Sequence, residues 1–147
     1  MTAFIFFDAY LNTVAEEIGM ERALDLLTKM CETMGAIQGK MMKDQSDIKE
    51  FDAQTASSLL NSTPGSLGII GEVIEESPQK AVSRGGRCPI YEAARIMGVD
   101  PETLCRKGSM VFMDAVAKQL NPNLSYSCTK FRSSPDDFCE ETVILKK

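Results

Sequence analysis

The sequence predicts an α+β fold: N-terminal helices followed by β-β-α-α-β-β, with a four-stranded antiparallel sheet covered by helices. Three observations predict it. Apolar residues recur at 3–4-residue spacing up to about Leu60, which is the helical period. Two pairs of short strand-like runs, 68–76 with 81–87 and 124–132 with 137–145, are each joined by a Pro-containing turn, as in antiparallel hairpins. Between the pairs, Cys88-Pro89 and Asp100-Pro101 each place a proline where a helix begins, because its fixed φ suits N1 and its missing N–H would be unpaired there anyway.

Taken in order, Ala3 to Ile18 reads as a helix with Phe4, Phe7, Leu11 and Val14 on one stripe. Phe6 and Tyr10 lie off that stripe, so the helix has two apolar faces, serving either one core or a core and a second subunit. Gly19 reads as its C-cap. The second helix, Met20 to Lys43, carries Met20, Leu24, Leu27, Cys31, Met34, Ile37 and Met41 on its stripe. Gly35 and Gly39, one turn apart, leave room for another helix to approach closely. Cys31, within the stripe, reads as plain core.

Ser46 is the expected N-cap of a third helix through Leu60, and Asn61-Ser62-Thr63-Pro64-Gly65 reads as the break between a helical half (1–62) and a mixed half (66–147) of a single domain spanning 1–147. After the first hairpin, a short helix runs from Cys88 to Met97 and ends at Gly98. A longer one follows from Asp100 to Leu120, with Leu104, Val111, Phe112, Ala115, Val116 and Leu120 on its buried side. Asn121-Pro122-Asn123 then breaks the chain before the second hairpin.

The 147 residues suffice for a real core, and a hydrophobic content of 44% with 25% charged residues is that of a soluble globular protein. A net charge of −5 without a Lys/Arg stripe argues against nucleic-acid or anionic-membrane binding. The short apolar start at Ala3–Phe7 has no basic region before it and does not read as a signal peptide. Five cysteines without an export signal predict reduced thiols and a cytoplasmic protein. Histidine is absent, which excludes Ser-His-Asp and Cys-His catalysis and every His-containing metal site.

Chemistry therefore falls to other side chains, and four of the five cysteines lie in the mixed half. Gly85-Gly86-Arg87-Cys88-Pro89-Ile90-Tyr91 joins the first hairpin to its helix and puts Cys88 at the N-cap, where the helix dipole and Arg87 favour its thiolate. Cys105, in the first turns of the next helix and followed by Arg106-Lys107, is expected to be acidified in the same way. In the second hairpin, pairing Arg132 with Asp137 sets Cys128 opposite Glu141 and Lys130 opposite Cys139. Tyr126, Cys128, Lys130, Cys139, Glu141 and Val143 then share one face. Three readings of these cysteines stay open: small buried hydrophobes, a thiolate metal site, or a nucleophilic thiol with Cys88 as the first candidate. No C-x₂-C pair is present to favour structural zinc. Beside Cys88, Tyr91, Glu92 and Arg95 occupy the first two turns of one helix. They form either a solvated face or a carboxylate-binding arginine next to a thiol and a phenol. Asp136-Asp137 reads as turn chemistry.

Cys88-Pro89-Ile90-Tyr91-Glu92-Ala93, Gly98-Val99 with Cys105 after it, Leu120-Asn121-Pro122 and Pro135-Asp136-Asp137-Phe138-Cys139-Glu140 give residues 87–145 a further meaning. This stretch resembles the C-terminal part of the L-2-amino-thiazoline-4-carboxylic acid hydrolase family and is distantly similar to 4-vinyl reductase domains. The resemblance implies a small α+β domain, with Cys88, Cys105 and Cys139 carried over as site residues. The activity it implies is hydrolase-like attack on a small carboxylate-bearing C–N/C–S ring, either by Cys88, with Tyr91 and Glu92 beside it, or by a divalent metal such as Zn or Mn held by Cys88, Cys105 and Cys139. Arg87 or Arg95 would hold the carboxylate. The other expectation is a non-catalytic small-ligand or metal-binding sensor domain. Either takes a small-molecule ligand, and the two-faced N-terminal helices suit a homodimer.

Overall fold

The computed structural model describes residues 1–146. Its elements are α1 (Thr2–Ile18), α2 (Met20–Asp44), α3 (Ala53–Leu60), α4 (Ser62–Ser66), β1 (Gly71–Glu76), β2 (Lys80–Gly85), α5 (Pro89–Ile96), α6 (Pro101–Leu104), a π-helical turn (Cys105–Ser109), α7 (Met110–Leu120), β3 (Leu124–Lys130) and β4 (Cys139–Leu145). The four strands form one antiparallel sheet in the order β1-β2-β4-β3. This is the α+β architecture expected from the sequence.

Helices cover one face of the sheet. Ala56 and Leu60 of α3 and Met113, Val116 and Leu120 of α7 meet Ala81, Leu124, Tyr126 and Val143 of the sheet in one buried cluster. A second cluster joins Leu11 of α1 and Ala23, Leu24 and Leu27 of α2 to Ala94, Val99 and Leu104. The two are tied by the packing of α2 on α7, which the small residues of α2 allow. A Cβ at Gly39 would sit 2.7 Å from the Val116 carbonyl oxygen, and one at Gly35 would collide with the Phe112 carbonyl. On the sheet's other face, the Phe138 ring lies between Arg84, 4.5 Å from its centroid, and the Lys130 ammonium at 3.8 Å.

Several boundaries differ from expectation, each for a local reason. The third helix starts at Ala53 rather than after Ser46, because Asp52 and Thr55 form a capping box. Asp52 Oδ1 accepts the Thr55 N–H at 2.8 Å and Thr55 Oγ1 accepts the Asp52 N–H at 3.0 Å. Ser46 instead accepts from the Ile48 N–H at 3.1 Å, a local turn. Asn61–Gly65 falls partly within the short helix α4, and Asn61 Nδ2 reaches Ser83 of β2 at 3.2 Å. The first strand begins at Gly71, with Ile70 still paired through backbone hydrogen bonds to Gly86 and Arg87. Gly19 and Gly98 end their helices at positive φ of 85° and 71°, as glycine permits.

In the second hairpin Cys128 pairs with Glu141 as expected, but a bulge between Cys128 and Lys130 sets Lys130 opposite Glu140 rather than Cys139. Lys130 thereby turns to the face that carries Phe138. Its Nζ pairs with Asp137 Oδ1 at 2.7 Å, and Asp137 also accepts the Ser133 and Phe138 N–H groups, which makes it a turn residue.

The long helix expected after Asp100 is one helical run interrupted by the π-turn. Asp100 caps it, accepting the Thr103 N–H at 2.8 Å. The wider turn leaves the Lys107 carbonyl free to accept from Thr28 Oγ1 at 2.8 Å, and sets Gly108 against Leu27 of α2. Asp8, on α1, is the one buried side chain of the described residues whose oxygens find no hydrogen-bond partner. Only 1% of it is exposed, and burial raises its pKa to about 6.

Candidate ligand cavity and thiol cluster

The space between the sheet and the helices holds two adjoining cavities. The larger, about 230 Å³, is walled by apolar side chains including Phe7, Leu27, Ile90 and Phe112, with Tyr126 and Glu141 as its polar groups on the sheet. The smaller, about 50 Å³, is bounded by Cys88, Tyr91, Cys105, Arg132 and Cys139. Ile69, Ile90, Ser109, Met110 and Glu141 line both. The π-turn helps shape this junction by presenting Cys105 and Ser109 to it.

Glu141 sits where the two meet. Strand alternation places it, with Cys139 and Val143, on the helix-covered face. Burial pushes its carboxyl above the ordinary range, and the nearby Cys139 acts in the same direction. The Tyr126 hydroxyl donates to Glu141 Oε2 at 2.5 Å, and burial keeps that phenol protonated. A buried carboxyl with a raised proton affinity is placed to exchange a proton with a bound molecule.

The cysteines converge as the sequence left open, but their acidities differ from expectation. Cys88 is the N-cap of α5 with Pro89 at N1, yet its side chain makes no capping bond. Burial pushes its thiol up and outweighs the Tyr91 and Ile90 backbone N–H groups and the more distant Arg132. Cys105 is pushed up to about 12, by burial first and then by Glu141. Arg106 does little to offset this, because its guanidinium turns to Glu102 at 2.8 Å. Cys139 goes the other way, held well below the usual thiol range by the neighbouring Cys128 thiol and by Arg132, whose Nε donates to Cys139 Sγ at 3.5 Å. Cys128 is correspondingly the protonated member of the pair, and the Lys130 carbonyl at 3.1 Å is a second acceptor for its proton. Cys31 packs against the second core cluster as expected and also lines the larger cavity, with its thiol raised by burial.

Arg132 organises this corner. Only 5% exposed, its guanidinium donates to the carbonyl oxygens of Gly85 (2.8 Å), Gly86 and Pro135 (3.5 Å) and lies 4.9 Å from the Tyr91 ring centroid. Of the residues expected at a site, Cys88, Tyr91, Cys105 and Cys139 surround the smaller cavity, whereas Arg87, Glu92 and Arg95 line neither cavity. Arg87 pairs with Glu92 at 3.3 Å on the surface, and the Arg95 guanidinium lies 5.9 Å from the Tyr91 ring centroid. Among the described residues, no three Cys, Asp or Glu side chains are grouped so as to hold a metal ion. Cys88, Cys105 and Cys139 thus surround a cavity without forming a ligand set for Zn or Mn. Sequence reasoning missed Glu141, Tyr126 and Arg132 as site residues. A carboxylate between Cys139 and Val143 on a core-facing alternation was the available signal for Glu141; nothing marked Arg132.

The sequence profile of the L-2-amino-thiazoline-4-carboxylic acid hydrolase family matches residues 1–141. The chain belongs to that family. The match extends the resemblance seen from Arg87 onward through the helical half. No curated protein sequence matches the chain. Among solved structures, this family member is similar to the phenol-responsive sensory domain of the transcription activator PoxR with phenol. The TM-score is 0.65 at 12% identity, over 97% of this chain and 74% of that one. It is also similar to trafficking protein particle complex subunit 3 from Naegleria fowleri covalently bound to palmitic acid. There the TM-score is 0.54 at 17% identity, over 99% and 96% of the two chains. At these identities the likeness is one of fold. No helix of the described residues is long and apolar enough to cross a membrane.

Proposed function

We propose that the joined cavities receive one small, mostly apolar molecule whose hydrogen-bonding group meets Glu141 and Tyr126, and that this hydrolase-family member opens a C–N/C–S ring there with Cys139, rather than Cys88, as nucleophile. The observation that carries this reading is Glu141, a buried carboxyl at the meeting point of an apolar cavity and a thiol cluster, two residues along the same strand from the one acidified cysteine. In the step we assign, the Cys139 thiolate adds to the ring carbon between nitrogen and sulfur. The ring C–S bond breaks, and the departing sulfur takes the Glu141 proton. Water then displaces Cys139 as thiolate and returns a proton to Glu141. The five unpaired cysteines suit a reducing compartment such as the cytoplasm.

A second reading, a non-catalytic sensor of a neutral ligand, is favoured by one observation. Arg132, the arginine at the cavity, is saturated by carbonyls and Cys139, so among the described residues no free cation lines either cavity to hold a substrate carboxylate. The phenol bound by the PoxR sensory domain is a neutral ligand of fitting size. Calorimetric titration with phenol and with 2-aminothiazoline-4-carboxylate, paired with product detection by mass spectrometry, tests both. Binding of at least one compound is expected, weakened at least 10-fold in Glu141→Gln. Turnover lost in Cys139→Ser and kept in Cys88→Ser supports the hydrolase, and binding of phenol without turnover of the thiazoline supports the sensor. Absence of binding and turnover for both compounds overturns the shared cavity reading.

A further inference from the structure

The apolar stripe on α2 is only half used. Gly35 and Gly39 take the face that packs on α7. Met30, Met34, Ile37 and Met41, at successive spacings of four, three and four, remain 48%, 50%, 50% and 49% exposed. That spacing is a heptad seam without a partner among the described residues. Beside it, α1 is turned the unexpected way for an isolated chain: it buries Asp8 at 1% exposure while leaving Phe6 and Tyr10 at 74% and 70%. Tyr10, Leu26 and Met30 border a groove of about 190 Å³ between α1 and α2, large enough for an aromatic side chain. With about 200 Å² per large side chain, these residues expose roughly 700 Å² together, above the largest patch usual on a monomer and close to one side of a standard protein interface.

We propose that this face is covered by a second copy of the chain, packed about a two-fold axis across the α2 seam, with an aromatic side chain of each copy in the groove of the other. Charge favours the same chain as occupant. The α1–α2 turn carries Glu16, Glu17 and Glu21 with one cation, Arg22, and is net acidic, whereas the far end of α2 carries Lys40 and Lys43 with one carboxylate, Asp44, and is net basic. Within the described residues, none of these seven forms an intrachain ion pair. A two-fold axis perpendicular to α2 runs the two copies of the helix antiparallel and brings the acidic end of one toward the basic end of the other. Met30 lines both this groove and the larger cavity, so the partner also covers one edge of the ligand site. The proposal does not rest on what that site binds.

Sedimentation equilibrium tests it on the full chain without ligand. The expected result is a mass twice the 16.2 kDa of one chain, falling to one chain in Met34→Glu/Ile37→Glu with an unchanged circular dichroism spectrum, since both positions are half exposed. Lys40→Glu is expected to weaken association at least 10-fold at low salt, and Lys40→Glu/Glu21→Lys to recover it. This pair keeps the test decisive if the seam variant misfolds. A single-chain mass at about 100 µM, where a dimer with this area is populated, overturns the proposal. So does a folded seam variant that keeps the double mass, or a Lys40→Glu variant that associates as tightly as the parent.

Discussion

Arg132→Leu is expected to lower unfolding stability by about 3 kcal/mol, because a leucine leaves buried carbonyl groups without donors. The guanidinium serves the Gly85, Gly86 and Pro135 carbonyls at once and so joins the end of β2 to the turn before β4. It is 5% exposed, so water does not replace these bonds. The same substitution removes a cause of the lowered Cys139 pKa, and that thiol should titrate closer to an ordinary cysteine. Urea denaturation reads the first effect and the pH dependence of Cys139 alkylation the second. Arg132→Lys restores charge but not the planar fork, and is expected to recover part of the thiol acidity and little of the stability. Unchanged stability in Arg132→Leu would mean that the β2 end and the β4 turn are held by other contacts.

Asp8→Asn is expected to stabilise the protein at pH 8 by on the order of 1–3 kcal/mol, with the gain fading toward pH 4. The sign follows from proton binding. Burial raises the folded-state pKa from 3.8 to about 6, so the folded chain binds the proton more tightly than the unfolded chain. The stability this contributes is full below about pH 4 and is lost as pH rises through 6. At pH 8 the ionised carboxylate is held on the buried face of α1 with no partner for either oxygen. Asparagine removes the charge at nearly constant volume. Denaturation of parent and variant at pH 4.5 and pH 8 measures the difference, and a difference that does not change with pH would place the Asp8 carboxylate in contact with water.

Much of the fold is legible in the sequence, because its signals are local. The glycines at 19 and 98, the Cys88-Pro89 and Asp100-Pro101 starts and the two Pro-containing turns each act within a few residues, and each falls where expected. The start of α3 was missed because two capping candidates compete, and the reciprocal Asp52–Thr55 box wins over Ser46. The bulge that turns Lys130 away from Cys139 left no mark in the alternation.

The site was half legible for the same reason. Which cysteines face inward follows from helix starts and strand period, and Cys88, Cys105 and Cys139 do surround one cavity. Their acidity depends on long-range burial and on Arg132, which arrives from a different loop. The helix-start argument therefore predicted the wrong acidic thiol. Arg87 pairs with Glu92 at the surface and Arg95 lies by the Tyr91 ring, so neither arginine expected to hold a substrate lines a cavity, a placement that no local signal reveals.

Whether Cys139 beside Glu141 is the reactive centre of the cavity is decided by site-resolved alkylation. Iodoacetamide labelling across pH 5–9, read by peptide mass spectrometry for all five cysteines, orders the thiols by ionisation. Cys139 is predicted to label first, with a midpoint well below that of a free cysteine, while Cys105 and Cys128 stay unlabelled until the protein unfolds. Labelling of Cys88 ahead of Cys139, or a Cys139 midpoint at or above the ordinary thiol range, would mean that Cys139 is not the reactive thiol of the cavity.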